Sequence, residues 1–446
     1  MAALQFNTTQ LANAQLQVMS RLYDLYQNET VLWGELEKVP REEINFKGYQ
    51  VVNEIHPNAS LGYRSGNGDT LPVPQGPLWD NFTVTYVGLQ AGTDQTYAAF
   101  LNNNSRVTAN FRQVVESNAR QFASILDTYA TRGNGTQMMA TVSAAYDGGS
   151  PTVAVCNGST DSIGPSVLVP SGYYQVWNSA GTTLRNGTIG GAGIVQLASK
   201  TAANAIGATN WPSDMAATDI IVPATGGGSA DASYGLYGLQ HIIDSAGTYF
   251  GQNRSAVSGL ASYEKAMGGN LTVAALAETY ASMVDRGGYY GEELKDFLTI
   301  FMNSGNWNNY TSLALNSGAV VGSPNQFMHT NSGKPGLDFG YKSVKYTYFG
   351  APVRVLPNAE GSEIYFLNFK MLKRAILKDV GNIAAGMPAS DWLQGVNGDG
   401  NYLNSRARWM DFFGQVFSPQ PFKLGKISGI TLVAPTQKAT RVLMNS

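Results

Sequence analysis

The chain has 446 residues, 43% of them hydrophobic, and its 29 Lys and Arg against 31 Asp and Glu leave a formal net charge of −2. That length exceeds what one growing core can serve, so two or three subdomains are expected. The near-neutral balance excludes a protein that coats nucleic acid through its whole surface.

Only 13% of the residues are charged, while glycine reaches 50. Uncharged polar side chains can pair across an interface without the cost of desolvating a charge, so the composition suits loop-rich β structure and large surfaces buried against neighbours. It suits an adhesin or secreted β protein as well. One cysteine, Cys156, cannot form an internal bridge, and in the run Val153-Ala154-Val155 it reads as a small buried hydrophobe. Met1 to Gln17 lacks a basic segment followed by an apolar one, and no stretch approaches the roughly 18 apolar residues of a membrane span. A cytoplasmic protein with no membrane partner is expected.

In chain order, Thr8 to Gln27 place Leu11, Val18, Leu22 and Leu25 near one helical stripe. Asp24 to Glu43 then form an acidic arm carrying Glu35, Glu37, Glu42 and Glu43, and Pro40 ends helical continuity. From Tyr49 to Trp79, turn signals at Pro57-Asn58 and Ser65-Gly66-Asn67-Gly68-Asp69 predict a long hairpin with its tip near Gly66. Phe82, Val84 and Tyr86 share one face of a strand running from Phe82 to Val87. A long helix is predicted over Thr96 to Thr131, its stripe ending in Phe122, Ile125 and Tyr129, with Arg132-Gly133-Asn134-Gly135 as the stop.

Residues 148–224 hold few charges among β-prone runs such as Tyr173 to Trp177 and Ile220-Ile221-Val222, which predicts a compact β module closed by the hinge Gly226-Gly227-Gly228-Ser229. Helices are predicted over Leu271 to Val284 and Glu292 to Met302. Strands are predicted at Val344 to Phe349, Pro352 to Leu356 and Ile364 to Leu367, with a final strand-rich stretch from Ala407 to Val433. Lys334 to Lys378 gathers Arg354, Lys373 and Arg374 with five more basic residues, the electrostatic complement of the acidic arm.

Chemistry is poorly provided for. The histidines, His56, His241 and His329, have no ligand spacing, and His241 reads as a packing residue. Gly190-Gly191-Ala192-Gly193 lacks the Lys-Ser/Thr ending of a phosphate loop and reads as a turn. Asn397-Gly398-Asp399-Gly400-Asn401 has the alternating oxygens of a calcium loop, but Tyr402 and Arg408 stand where its glycine and bidentate Glu belong. No catalytic, cofactor-binding or metal-binding residue is assigned, and no enzyme is expected.

The segment Tyr234-Gly235-Leu236-Tyr237-Gly238-Leu239-Gln240-His241-Ile242-Ile243-Asp244, then Gly251-Gln252-Asn253-Arg254, then Gly268-Gly269 leading into a helix, resembles major capsid proteins of tailed bacteriophages. So do Tyr348-Phe349-Gly350-Ala351-Pro352-Val353, Ile364-Tyr365-Phe366-Leu367 and the C-terminal Phe412, Gly414, Val416 and Phe417 with Pro419 and Pro421. The resemblance implies an α+β Hong Kong 97-type capsid fold. It maps an N-terminal arm onto 1–45, an extended loop onto 46–92, and a peripheral domain with its spine helix onto 93–147. An inserted β module falls on 148–225, an axial domain on 226–400, and C-terminal strands returning to the peripheral domain on 401–446.

It further implies pentamers and hexamers closing an icosahedral shell around packaged double-stranded DNA, held without sequence preference, in the virion capsid after assembly in the host bacterial cytoplasm. Scaffolding, portal and decoration proteins are the implied partners. The chain has no lysine between Gly48 and Trp79, so covalent cross-linking through the loop is not expected, and the short arm leaves scaffolding to a separate protein. Tyr63, Arg64 and Asp69 near the loop tip are candidate intersubunit contacts, as are Glu42 and Glu43 paired with Lys373 or Arg374 of a neighbour. A phage tail, fibre or surface-layer component is the alternative.

Overall fold

The computed structural model describes residues 32–40, 43, 47–56, 78–96, 122–142, 153–155, 168, 172–187, 189, 191, 193–200, 205–208, 211–224, 232–287, 298–316, 328–330, 344–348, 351–382, 393–396 and 402–431. The expected helix Thr8 to Gln27, the loop tip near Gly66, Cys156, the Gly226–Ser229 hinge and the 397–401 segment lie outside them.

Trp33–Glu35 form a single 3-10 turn, followed by β1 (Glu37–Lys38). β2 (Tyr49–His56) and β3 (Leu78–Val84) pair antiparallel from Tyr49↔Val84 to His56↔Leu78, giving the two arms of the expected hairpin. Phe82 and Val84 are buried while Thr83 and Thr85 are exposed, the period of two read from the sequence. The strand expected from Phe82 to Val87 is interrupted at Thr85–Tyr86, and β4 (Val87–Thr96) begins a separate ladder. Thr96 therefore ends a strand rather than opening the long helix, a correction to that boundary. Residues 122–132 are helical (α1) and stop at Gly133 as predicted, whereas 97–121 lie outside the described set.

β5 (Ala140–Thr141), β6 (Val153–Val155), β7 (Tyr173–Trp177), β8 (Leu184–Arg185), β9 (Val195–Lys200), β10 (Ala205–Ala208) and β11 (Ile220–Pro223) form one sheet in the order β5-β11-β7-β9-β10-β6, with β8 beside β7. Its middle is covered on both faces. Tyr174, Val176 and Ile221 point into the main core, and their neighbours Trp177, Ile220 and Val222 close a small second core over Ala232. The Gly190–Gly193 cluster lies between β8 and β9 with Gly191 and Gly193 at φ +55° and +58°, as a turn requires.

The chain continues through α2 (Leu239–Ile242), the tight hairpin β12 (Thr248–Tyr249) and β13 (Gln252–Asn253), β14 (Tyr263–Gly269) and α3 (Val273–Gly287). β15 (Leu298–Met302) lies inside the stretch expected to be the helix Glu292 to Met302, and this is corrected to a strand. All five of its residues are buried because it is central, pairing with β18 on one side and β19 on the other, so no period of two reaches the sequence. α4 (Ser304–Asn316) follows, then β16 (Met328–Thr330), β17 (Val344–Tyr348), β18 (Ala351–Val355) and β19 (Ile364–Asn368). β20 (Lys373–Asn382), β21 (Leu393–Val396), β22 (Tyr402–Phe417) and β23 (Gly425–Ile430) complete the described chain.

Two further large sheets result. One contains β1, β20, β22 and β21 with β4 on the other side of β22; the other runs β14-β23-β19-β15-β18-β17-β16. Of the C-terminal strands, only β22 joins β4 near α1. β23 enters the second sheet instead, parallel to β14 and antiparallel to β19. That sheet divides two cores: Ile364 and Phe366 face one, with Leu276 and Met283 of α3 and Tyr310 of α4, while Tyr365 and Leu367 face the other, with α1 and the hairpin.

Candidate assembly elements

The root of the arm is seated in its own chain. Asp127 of α1, itself 2% exposed, accepts hydrogen bonds from the backbone N–H of Leu32 at 2.9 Å and of Trp33 at 3.1 Å. These donors open the Trp33–Glu35 turn, where a negative charge is favoured. The other carboxylate oxygen, Oδ2, accepts from Asn358 Nδ2 at 3.0 Å, in the turn after β18. One side chain thus ties arm, helix and sheet together.

Trp33 is fully buried, its ring edge-on to Phe412 at 5.3 Å, with the Arg374 guanidinium 5.5 Å from its centroid. Arg374 Nη1 also donates to the Trp33 carbonyl at 2.9 Å, and its own carbonyl accepts from Val39 at 3.0 Å. β1 pairs parallel with β20 in the register Glu37↔Lys373 and Lys38↔Arg374, and Lys373 Nζ lies 3.6 Å from Glu37 Oε2. Glu35 pairs with Arg354 of β18. The acidic arm and the basic stretch therefore meet within this chain through Glu35 and Glu37, whereas the sequence reading places the pairing at Glu42 and Glu43 against a neighbouring subunit.

Of the candidate contact residues, Tyr63, Arg64, Asp69 and Glu42 lie outside the described residues. Glu43 is exposed and accepts a hydrogen bond from Tyr49 Oη at 3.2 Å, while Lys373 and Arg374 hold the arm root. Within this chain neither basic residue is brought to Glu43.

The hairpin leaves the body at two joints. Gly48, at φ +138°, precedes β2, and a Cβ there would lie 2.7 Å from Thr83 Cγ2 and 2.8 Å from the Val84 carbonyl. Thr85–Tyr86 form the other joint. Tyr49 packs on Phe417 at 5.3 Å, and Phe82 packs on Tyr249 and Phe250 at 5.4 and 5.6 Å.

Behind this root, the Tyr234–Arg254 segment is bound to the end of α1. Gly238 N–H donates to the Gly133 carbonyl at 2.7 Å, and a Cβ on Gly238 would lie 2.4 Å from the Tyr129 carbonyl, so only glycine fits the crossing. Arg254, 1% exposed, donates to the carbonyls of His241, Ile242, Asp244 and Leu260 at 2.5 to 3.1 Å, closing the segment into one unit. His241 stacks on Tyr237 at 4.4 Å, and burial together with the Arg254 charge pushes its pKa down to about 4. Arg132 at the end of α1 makes a buried ion pair with Glu360 at 3.0 Å.

Asp127, Trp33 and Glu360 were not singled out in the sequence, and Arg132 was read only as part of the helix stop. The available signal was an acid and a base inside a helix end whose other positions carry no charge. Among the described residues, no three His, Cys, Asp or Glu side chains gather as metal ligands, and no helix is long and apolar enough to cross a membrane.

No protein-family model matches the sequence, and no curated protein is similar to it. Solved structures are similar in backbone. The capsid asymmetric unit of Cyanophage A-1(L) is 13% identical with a TM-score of 0.49, and the match covers 89% of this chain and 93% of that one. This neighbour is a capsid chain. The capsid of an empty GTA particle is 9% identical over 90% of each chain, TM-score 0.41, and a holo-SrpI encapsulin from Synechococcus elongatus is 8% identical over 91% and 88%, TM-score 0.38.

Proposed function

We propose that this chain is a structural shell subunit of the Hong Kong 97 type, a major capsid protein that closes as pentamers and hexamers into an icosahedral virion shell around packaged double-stranded DNA. The observation that carries the reading is the shared foundation of two elements. The arm root and the extended hairpin are both seated on the core formed by α1, β20 and β22, through Asp127 and Trp33 for the arm and through Tyr49 and Phe82 for the hairpin. A firmly held root lets a projecting element bind a neighbour without losing more conformational freedom. Many weak contacts of this kind become strong once a lattice closes.

In this reading Tyr63, Arg64 and Asp69 at the loop reach the adjacent subunit, and Glu42 and Glu43 present the arm's remaining acid to it. Lys373 and Arg374 act by holding the arm root. Scaffolding, portal and decoration proteins are the further partners, and DNA is met through sequence-independent phosphate contacts on the inner surface. Assembly takes place in the host bacterial cytoplasm.

The test is sedimentation velocity on the full chain produced with its scaffolding protein, beside the double variant Tyr63→Ala with Arg64→Ala. The expected result is fast shell material from the parent chain and its loss from the variant, with both subunits equally folded. Shells in equal yield from both would remove the loop assignment, and slow monomers from the parent under every condition would remove the shell reading itself.

A further inference from the structure

Two non-glycine residues among the described ones have positive φ, Thr218 at 74° and Phe250 at 46°. Phe250 and Gly251, at φ 84°, are the central residues of the turn joining β12 to β13, which pair Thr248↔Asn253 and Tyr249↔Gln252. A two-residue hairpin turn with both central residues left-handed favours Asn or Gly at its first position, and a bulky residue there is strained. Such strain persists only where the surroundings over-determine the conformation.

The surroundings here are the root of the extended hairpin. The Phe250 ring lies parallel to Phe82 of β3, centroids 5.6 Å apart and planes 9° apart, and it stands edge-on to Tyr237 at 4.6 Å and to Tyr249 at 4.8 Å. Gln252 Nε2, one residue beyond the turn, donates to the Asn81 carbonyl of β3 at 3.3 Å. The turn therefore grips β3 by a ring and by a hydrogen bond, and β3 is the hairpin arm that continues into the unpaired joint Thr85–Tyr86. Glycine at 250 would relieve the backbone and give up the ring. Tyr237 and Tyr249 belong, like Phe250, to the segment that binds the end of α1, so the ring connects the hairpin to that segment.

We propose that Phe250 is a positioning residue: a strained aromatic wedge that sets the angle at which the β2–β3 hairpin leaves the body, and so the place at which its far end meets a neighbouring subunit. The second half of that statement rests on the shell-building reading; the first does not.

Hydrogen exchange on unassembled subunits tests the first half directly. In Phe250→Gly, amide protection in β2 and β3 at the Tyr49↔Val84 and Val51↔Phe82 pairs is expected to fall by about tenfold, with β15 and β19 unchanged. Phe250→Tyr should restore it. Phe82→Leu, which leaves the turn intact, should reproduce the loss and keeps the test open if the glycine variant folds poorly. Unchanged hairpin protection in both loss variants would overturn the inference, as would an equal loss across all sheets, which marks a merely structural role. For assembly, the expected product of Phe250→Gly is shells of mixed diameter. Uniform shells of parental diameter would overturn the angular role, whereas a parent chain that never forms shells leaves the exchange result to decide the first half alone.

Discussion

Asp127 is the residue on which most of the arm's seating depends. Its carboxylate accepts hydrogen bonds from two buried backbone donors 94 and 95 residues away in sequence, so Asp127→Ala removes both bonds at once. The expected cost is about 2–3 kcal/mol, with faster proteolysis near Leu32; an unchanged urea midpoint and cleavage rate would contradict it. Arg132 and Glu360 make the complementary case. Removing either charge alone should cost about 3–5 kcal/mol, while Arg132→Leu with Glu360→Leu should recover much of that loss, because a buried pair that loses one partner strands the other. A double variant no more stable than the singles in chemical unfolding would refute this. His241 sets a pH dependence. The unfolded chain takes up its proton near the ordinary histidine value of 6.5 and the folded chain only near 4, so this group's contribution to stability is lost as pH falls from about 6.5 to 4. His241→Phe keeps the ring on Tyr237 and should flatten that window in urea midpoints taken at several pH values; an unaltered slope would show that another group sets it.

At the scale of elements, legibility followed burial. The arms of the hairpin, β18 and α3 were readable because one face of each is wetter than the other, so the period of burial survives in the sequence, while β19, buried on both faces, was legible from the turn that precedes it. β15 was not, because its two faces serve two cores, and an unbroken apolar run is equally a helix or a strand. α4 was missed for the opposite reason. Asn303, Gly305 and Asn306 are poor helix formers, and the helix stands on the Asn303 cap to Asn306 N–H at 2.7 Å and on Trp307 and Tyr310 packed beneath the sheet. The attraction of the acidic arm for the basic stretch was legible as charge, but its partners were not, since the choice of Glu35 and Glu37 depends on β1 pairing with β20. The glycines of the Tyr234–Gly238 motif were noticed as a resemblance, and the structure supplies their reason in the crossing over α1. Gly238→Ala should therefore cost about 1–3 kcal/mol, read as a lowered unfolding midpoint. No loss there would mean that the crossing relaxes freely.

For the whole molecule, the composition and the architecture point the same way. Few charges, abundant uncharged polar residues and two elements rooted in one core suit the proposed shell subunit, whose surface would be covered by copies of itself. The exposed Glu35–Arg354 pair contributes little alone, on the order of 0.2–1 kcal/mol, and in the proposed shell burial and multiplicity, rather than single ion pairs, would carry assembly. The most direct test is negative-stain electron microscopy of the purified chain, produced alone and together with its scaffolding partner. The account predicts closed shells, or rings the size of hexamers and pentamers, in at least the second preparation. Uniform monomers or elongated trimers in both would contradict it and favour a fibre or surface-binding component.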